Sequence, residues 1–273
     1  GLTECRRNPV DSFWSWREMM YYFAHNVSPD DLRAITAKLY MELLKGGYTE
    51  IVEFHYLHND MDGNYYAPPE ELSAAVISAA DQTGIGLTHL PVLYTYGGAG
   101  QAALLTGQTR FGNSVDRFNE LVGRAQTIVA DLPADCRVGI APHSLRATCP
   151  ADLKTVLAAH PHCPTHIHIA EQPKEVADIT AWLGARPVEW LLDNADVTQN
   201  WCLIHATHMT PDETVAMAKS GAVAGLCPIT EANLGDGPFN GPTYLQSGGA
   251  FGIGSDSNVN ISLTEELRTL EYS

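Results

Sequence analysis

Basic residues are scarce in this chain. Sixteen Lys and Arg stand against 32 Asp and Glu, a formal net charge of −16 over 273 residues. Nucleic-acid binding needs a cationic face for phosphate, so no nucleic-acid partner is expected. No apolar run approaches the ~18–20 residues that span a bilayer, and no membrane partner is expected either. The six Cys (Cys5, Cys136, Cys149, Cys163, Cys202 and Cys227) form no CxxC pair. Cys136, Cys202 and Cys227 lie in or beside apolar runs, where a reduced thiol behaves as a small hydrophobe. That usage predicts a reducing cytoplasm. The chain opens at Gly1-Leu2-Thr3 with neither Met nor a charged-then-apolar leader. No secretory signal is expected, and part of the N-terminus is expected to be absent. No GxGxxG follows an early strand, which argues against a nucleotide-binding sheet. Repeats, low-complexity stretches and linkers are lacking too, so residues 1–273 read as one domain.

What is present is alternation. Strand-like segments are expected at 49–57, 85–93, 137–141, 165–170, 201–206, 222–227 and 250–255. Helices are expected at 12–23, 29–45, 68–83, 114–131, 150–160, 173–183, 187–194 and 211–220, with another from about 261. Ser28-Pro29-Asp30-Asp31 is an N-cap followed by Pro and first-turn acids. Residues 228–241 show little regular signal and read as a loop. Short apolar strands separated by helices indicate parallel βαβ units with right-handed crossovers. An open doubly wound sheet and a closed barrel both fit. Seven strands is one short of an eightfold barrel, and a missing first strand would reconcile the count with the N-terminus.

In a parallel barrel the C-terminal strand ends build the site. Those ends carry His55, Tyr56 and His58; His143 and Arg146; His166, His168 and Glu171; His205 and His208; Glu231; and Asp256. His166 and His168 share a strand face, with His168 nearer the mouth. By the same alternation His205 shares a face with Leu203. Asp256 shares one with Gly252 and Gly254, which leave room beside it. His residues and a carboxylate converging from separate strands suit Zn²⁺ or a similar metal. His166 and His208 read as structural, and His160 and His162 as solvated surface. His55 and His58 are left open.

These residues resemble the amidohydrolase superfamily. His168 with Ala170-Glu171 resembles the fifth-strand histidine and its glutamate. His205 in Cys202-Leu203-Ile204-His205-Ala206-Thr207-His208 resembles the sixth-strand histidine, and Gly254-Ser255-Asp256-Ser257-Asn258 the eighth-strand aspartate. Four further segments are similar to the formimidoylglutamate deiminases within that superfamily: 13–18, 141–146, 166–172 and 227–237. The resemblance implies a TIM-type (β/α)8 barrel with a small β-sandwich formed by chain ends. It implies one zinc ion, iron suiting similar ligands, and a small anionic substrate with two carboxylates. The superfamily's first-strand HxH has no counterpart in this sequence, so the first strand and the sandwich are expected to be missing and strands 2 to 8 present.

On this resemblance His168 and Asp256 are metal ligands. Asp256, Glu171 and His205 are catalytic: Asp256 takes a proton from water, Glu171 carries one to the departing nitrogen, and His205 steadies the tetrahedral intermediate. Arg17 and Arg146 bind the two carboxylates, since a guanidinium matches a carboxylate as a planar fork. Tyr56 and His143 assist. The expected reaction is hydrolysis of N-formimino-L-glutamate to N-formyl-L-glutamate and ammonia, as in histidine breakdown. The 137–141 strand has no Lys, which favours one metal over two. A deaminase of guanine, adenosine-type or triazine substrates shares the metal pattern, and a non-catalytic barrel is the remaining alternative. Relatives suggest a homodimer.

Overall fold

Each expected strand forms, and all pair in parallel. The computed structural model describes residues 20–256, 258 and 260–273. In chain order the strands are β1 (Glu50–His55), β2 (Gly86–Leu93), β3 (Cys136–Val138), β4 (Ala141–Pro142), β5 (Thr165–Ile169), β6 (Trp201–His205), β7 (Val223–Leu226) and β8 (Ala250–Ile253). β1, β2 and β3 are neighbours, with β4 on the far end of β2. β5 through β8 follow in sequence order. Parallel bridges Ile140↔Thr165 and Ser144↔His168 join the two groups into one wall. This is the wall of a TIM-type α/β barrel, with β3 and β4 forming one interrupted stave. Among the described residues no strand precedes β1, and there is no β-sandwich.

The helices are α1 (Pro29–Lys45), α2 (Glu71–Thr83), α3 (Val115–Val129), α4 (Pro150–Ala159), α5 (Pro173–Leu183), α6 (Pro187–Asn194), α7 (Pro211–Ser220), α8 (Pro228–Leu234), α9 (Gly241–Gln246) and α10 (Leu263–Tyr272). None of the described helices is long and apolar enough to cross a membrane. Their boundaries follow local chemistry. Ser28 caps α1 by accepting from the Asp31 amide, and the Asp31 carboxylate answers the Ser28 amide. Thr210 and Glu213 do the same for α7. Residues 20–24 are helical, and the rest of the helix expected at 12–23 lies outside the described residues.

Outward strand residues Ile167, Ile169 and Leu203 pack with Val176, Ile179, Val188 and Leu191 from the helices. Leu87 and Leu93 do so with Val76, Ile77, Phe118 and Val122. Each such side chain contributes about 1.5–3 kcal/mol on burial. Leu90, Val92 and Ala141 face the other way and pack with Tyr94 and Phe111.

Several features depart from the sequence reading. Residues 228–234 form α8 instead of a loop. Seven residues are too few to show a 3.6-residue period, although Pro228 sits at the helix start as such residues do. The strand expected at 137–141 is interrupted at Gly139, which lies tight against its neighbours: an added Cβ would stand 2.5 Å from the Pro164 carbonyl oxygen and 2.5 Å from Leu90 Cδ2. His160 is not solvated surface. Its Nε2 pairs with Asn119 Oδ1 at 2.9 Å.

His55 and His58 join His89 in a buried group, with ring centroids 5.5 Å and 5.3 Å from His55. Burial lowers His58 to about 4 and His89 to about 3, and among the described residues neither ring nitrogen of His89 has a hydrogen-bond partner.

Gly139→Ala is expected to destabilise the fold by about 1–3 kcal/mol, since backbone blocks the new methyl; urea unfolding measures this. The buried imidazoles give a second expectation. Unfolded His takes up a proton near pH 6.5 while folded His89 does not. Stability therefore falls as pH drops from about 6.5 toward 4, by up to about 1.4 kcal/mol per pH unit per group. His89→Leu should flatten that slope in urea titrations run at pH 7 and pH 5.

Candidate active site

The C-terminal ends of the strands meet in one pocket. Phe54 and Tyr56 come from the end of β1, His143 and Arg146 follow β4, His168 and Glu171 come from β5, His205 ends β6, and Asp256 follows β8. The roof is set by a buried cation. Arg110 donates to the carbonyl oxygens of Ala24, Val27 and Asn59. It thereby ties the turn carrying Met20 and Tyr21 over the pocket.

Alternation alone would turn His205 away from this pocket. It pairs in register with Ile169, a residue packed on the helices, and shares the face of Leu203. The backbone reverses that direction. His205 has φ +67 and Ala206 φ +49, and the Ala206 amide donates to the Ile204 carbonyl at 3.0 Å. This is a tight three-residue turn about His205, a conformation that costs about 1–3 kcal/mol in a non-glycine residue. It swings the imidazole to within 5.5 Å of the His168 ring, stacked at 28°. Ala170 (φ +51) and Asp256 (φ +49) also have positive φ just past β5 and β8.

His205 is held by carboxylates. Its Nδ1 donates to Glu231 Oε1 at 3.1 Å, and the same oxygen accepts from the Cys227 amide at 2.9 Å. Its Nε2 lies 3.8 Å from Glu171 Oε1 and 3.9 Å from Asp256 Oδ2. Burial alone would lower its pKa, but Glu171, Glu231 and Asp256 raise it to about 10. Burial lifts the Glu171 carboxyl to about 7 against the pull of His205 and Arg146.

His168 is different. Its Nδ1 bonds the His143 carbonyl at 3.2 Å, so Nδ1 carries the proton and Nε2 keeps its lone pair. Burial, helped by His143 and His205, holds this ring well below the usual pKa and thus neutral. A neutral imidazole whose tautomer is fixed by a carbonyl is the state a metal-binding histidine needs. With the Asp256 carboxylate in the same pocket, the donor set fits a divalent ion. A second group, His205, Cys227 and Glu231, brings three donor atoms within 4.8 Å of one another. There, however, Glu231 already accepts two hydrogen bonds, and burial pushes the Cys227 thiol well above its usual range.

Arg146 stands between two carboxylates. Nη2 is 3.7 Å from Glu171 Oε2, and Nε is 3.7 Å from Glu175 Oε2. His143 is kept neutral first by burial and then by the Arg146 charge. Tyr56 is pushed above its usual range by burial and by Asp256. The pocket therefore gathers Glu171, His205, Asp256, Tyr56, His143, Arg146 and His168. Arg17 lies outside the described residues. His166 lines the lumen below, and burial lowers it to about 4. Sequence reasoning missed Phe54, Tyr94, Phe111 and Tyr21 as pocket walls, and Glu175. Aromatic walls carry no spacing signal, and Glu175 reads as an ordinary first-turn acid.

The class follows from this geometry together with comparison. The sequence profile of the amidohydrolase family matches residues 3–271, and the chain belongs to that family. It is 53% identical, over all 273 residues, to the formimidoylglutamate deiminase of Pseudomonas aeruginosa, and spans 60% of that protein's length. A 5-methylthioadenosine/S-adenosylhomocysteine deaminase from Natronomonas pharaonis is 26% identical over 252 residues, 89% of this chain and 51% of that protein. Among solved structures, an amidohydrolase from Brucella melitensis superposes with a TM-score of 0.96 at 52% identity, covering all of this chain and 60% of that one. An adenosine deaminase from Xanthomonas campestris with bound zinc gives 0.76 at 21% identity, covering 96% and 55%, a likeness of fold alone.

Replacing Glu231 by Gln removes one of the charges that raise His205. The His205 imidazole pKa is then expected to fall when followed by NMR, and turnover to drop about tenfold or more as the ring loses its orienting partner.

Proposed function

We propose that this chain forms the barrel of a zinc-dependent deiminase that hydrolyses N-formimino-L-glutamate to N-formyl-L-glutamate and ammonia. The observation that carries this reading is the Arg146 guanidinium opening into the same pocket as Glu171, His205 and Asp256. One end of the substrate is anionic and the other a cationic amidine, and the pocket offers both a guanidinium, Arg146, and carboxylates, Glu171 and Asp256. The similarity to the Pseudomonas deiminase supports the choice.

His168 and Asp256 would hold the metal. When bound, zinc supplies the Lewis acidity that brings water toward ionisation at neutral pH. The chain's own groups do the rest. Asp256 takes a proton as water adds to the formimino carbon. Glu171, whose pKa near 7 lets it accept and release a proton, delivers one to the departing nitrogen. His205, fixed by Glu231, hydrogen-bonds the added oxygen and so steadies the tetrahedral intermediate, whose hydroxyl proton is lost as the carbon–oxygen double bond forms. The carbon–nitrogen bond then breaks and ammonia leaves. Arg146, with Arg17, Tyr56 and His143, binds the carboxylates. Iron would suit the same ligands. A reducing cytoplasm, a homodimer and one barrel domain over residues 1–273 belong to the same proposal.

A deaminase acting on a flat ring is the second reading. It is favoured by Phe54, Tyr56, Tyr21 and Phe111 on the pocket walls. Ammonia release by the full-length, zinc-loaded protein separates the two. N-formimino-L-glutamate is expected to react, and guanine and N-formimino-aspartate are not. Release from guanine alone would sink the proposal. Arg146→Met is expected to raise KM for N-formimino-L-glutamate roughly 10- to 100-fold, the worth of about 1.5–3 kcal/mol in charged hydrogen bonds. An unchanged KM would remove Arg146 from the binding site.

A further inference from the structure

Glu175 lies on the first turn of α5 and is buried. A glutamate three residues past an N-cap normally returns to the N-cap amide. Glu175 passes over the N-cap, Gln172, and reaches further back. Its Oε1 accepts from the Ala170 amide at 3.2 Å and its Oε2 from the Glu171 amide at 3.1 Å. Ala170 is one of the left-handed residues, with φ +51. The carboxylate thus clamps the strained peptide that aims Glu171 into the pocket. Its Oε2 also stands 3.7 Å from Arg146 Nε, which makes no hydrogen bond among the described residues.

From these contacts we infer that Glu175 is a positioning residue that fixes Glu171 and Arg146 relative to each other. The inference rests on the roles proposed above for those two residues. Arg146 faces two carboxylates at equal distance, 3.7 Å, and is in hydrogen-bond contact with neither. The pull of Glu175 keeps it from closing onto Glu171. A guanidinium balanced in this way stays open to a carboxylate of the substrate. Without the Glu175 charge, Arg146 would collapse onto Glu171, occupying the group that moves the proton and withdrawing the group that binds the anion. One side chain therefore acts on both turnover and binding.

The test uses the full-length, metal-loaded protein and compares wild type, Glu175→Gln, Glu175→Asp, Arg146→Met and the Gln/Met double variant. Turnover of N-formimino-L-glutamate is measured, along with calorimetric binding of glutarate, a dicarboxylate that cannot react. Glu175→Gln is expected to lower kcat about tenfold or more, and to weaken both KM and glutarate affinity by about tenfold. In the Arg146→Met background it should still lower kcat but no longer change glutarate affinity, because its effect on binding runs through Arg146. Glu175→Asp keeps the charge with a shorter reach and should fall between wild type and Gln, which keeps the test open if the Gln variant folds poorly. A residue that only supports the fold would lower the melting temperature while leaving KM and affinity per folded molecule unchanged. Glutarate binding and turnover intact in wild type, but altered less than about twofold in Glu175→Gln, would overturn this inference alone. Additive effects on affinity with Arg146→Met would do the same. A wild type that neither binds glutarate nor releases ammonia would overturn the reading of Arg146 and take this inference with it.

Discussion

A β-strand presents alternate side chains to opposite faces, and a parallel wall inherits that alternation at every stave. The pocket here needs more from its rim than alternation supplies. His168 arrives by pleat alone. His205, on the neighbouring strand and in register with a core residue, would face the helices if β6 ended as an ordinary strand. The tight turn at Ile204–Ala206 is what turns it inward, and the rest of the site depends on that reversal. Glu231 can orient the ring, and Glu171 and Asp256 can share its charge, only because the ring comes to them.

The turn is strained, so other contacts must hold it. The Ala206 amide also bonds Ile169 across the strand pair, and the His208 amide bonds Ala170. The left-handed residues after β5 and β6 are thus stitched to each other. Glu175 holds the first of them from below. These peptide bonds, more than the side chains, fix where the imidazole and the carboxylates stand.

Much of this was legible in the sequence, for identifiable reasons. Pro and Gly marked helix limits well enough that α5, α6 and α7 fall on the expected residues. Strand ends advertised His143, His168, Glu171 and Asp256 because chemistry gathers there. What could not be read is what depends on backbone direction or on contacts across the chain. Period-2 reasoning pairs His205 with Leu203 and could not show the turn that brings its ring into the pocket. α8 was too short to show its period. Glu175 looked like a helix-start acid, since its real partners are amides that precede the helix. The tight packing at Gly139 was invisible because its neighbours, Leu90 and the Pro164 carbonyl, belong to other parts of the chain.

The left-handed turns also bear on how this site can change over time. Among residues with a side chain, Asn, Asp and His tolerate that region of backbone space best, while β-branched residues tolerate it worst. His205 and Asp256 both sit there, at φ +67 and +49. The choice of residue at each position is therefore filtered twice, once by chemistry and once by conformation. Of the possible replacements for His205, Gly would delete the imidazole and relieve the turn, and Asn would delete it with little added strain. An inactive descendant of this barrel that kept its fold would be expected to carry Asn or Gly at position 205, and a Val or Ile there would mark a rim rebuilt from the backbone up.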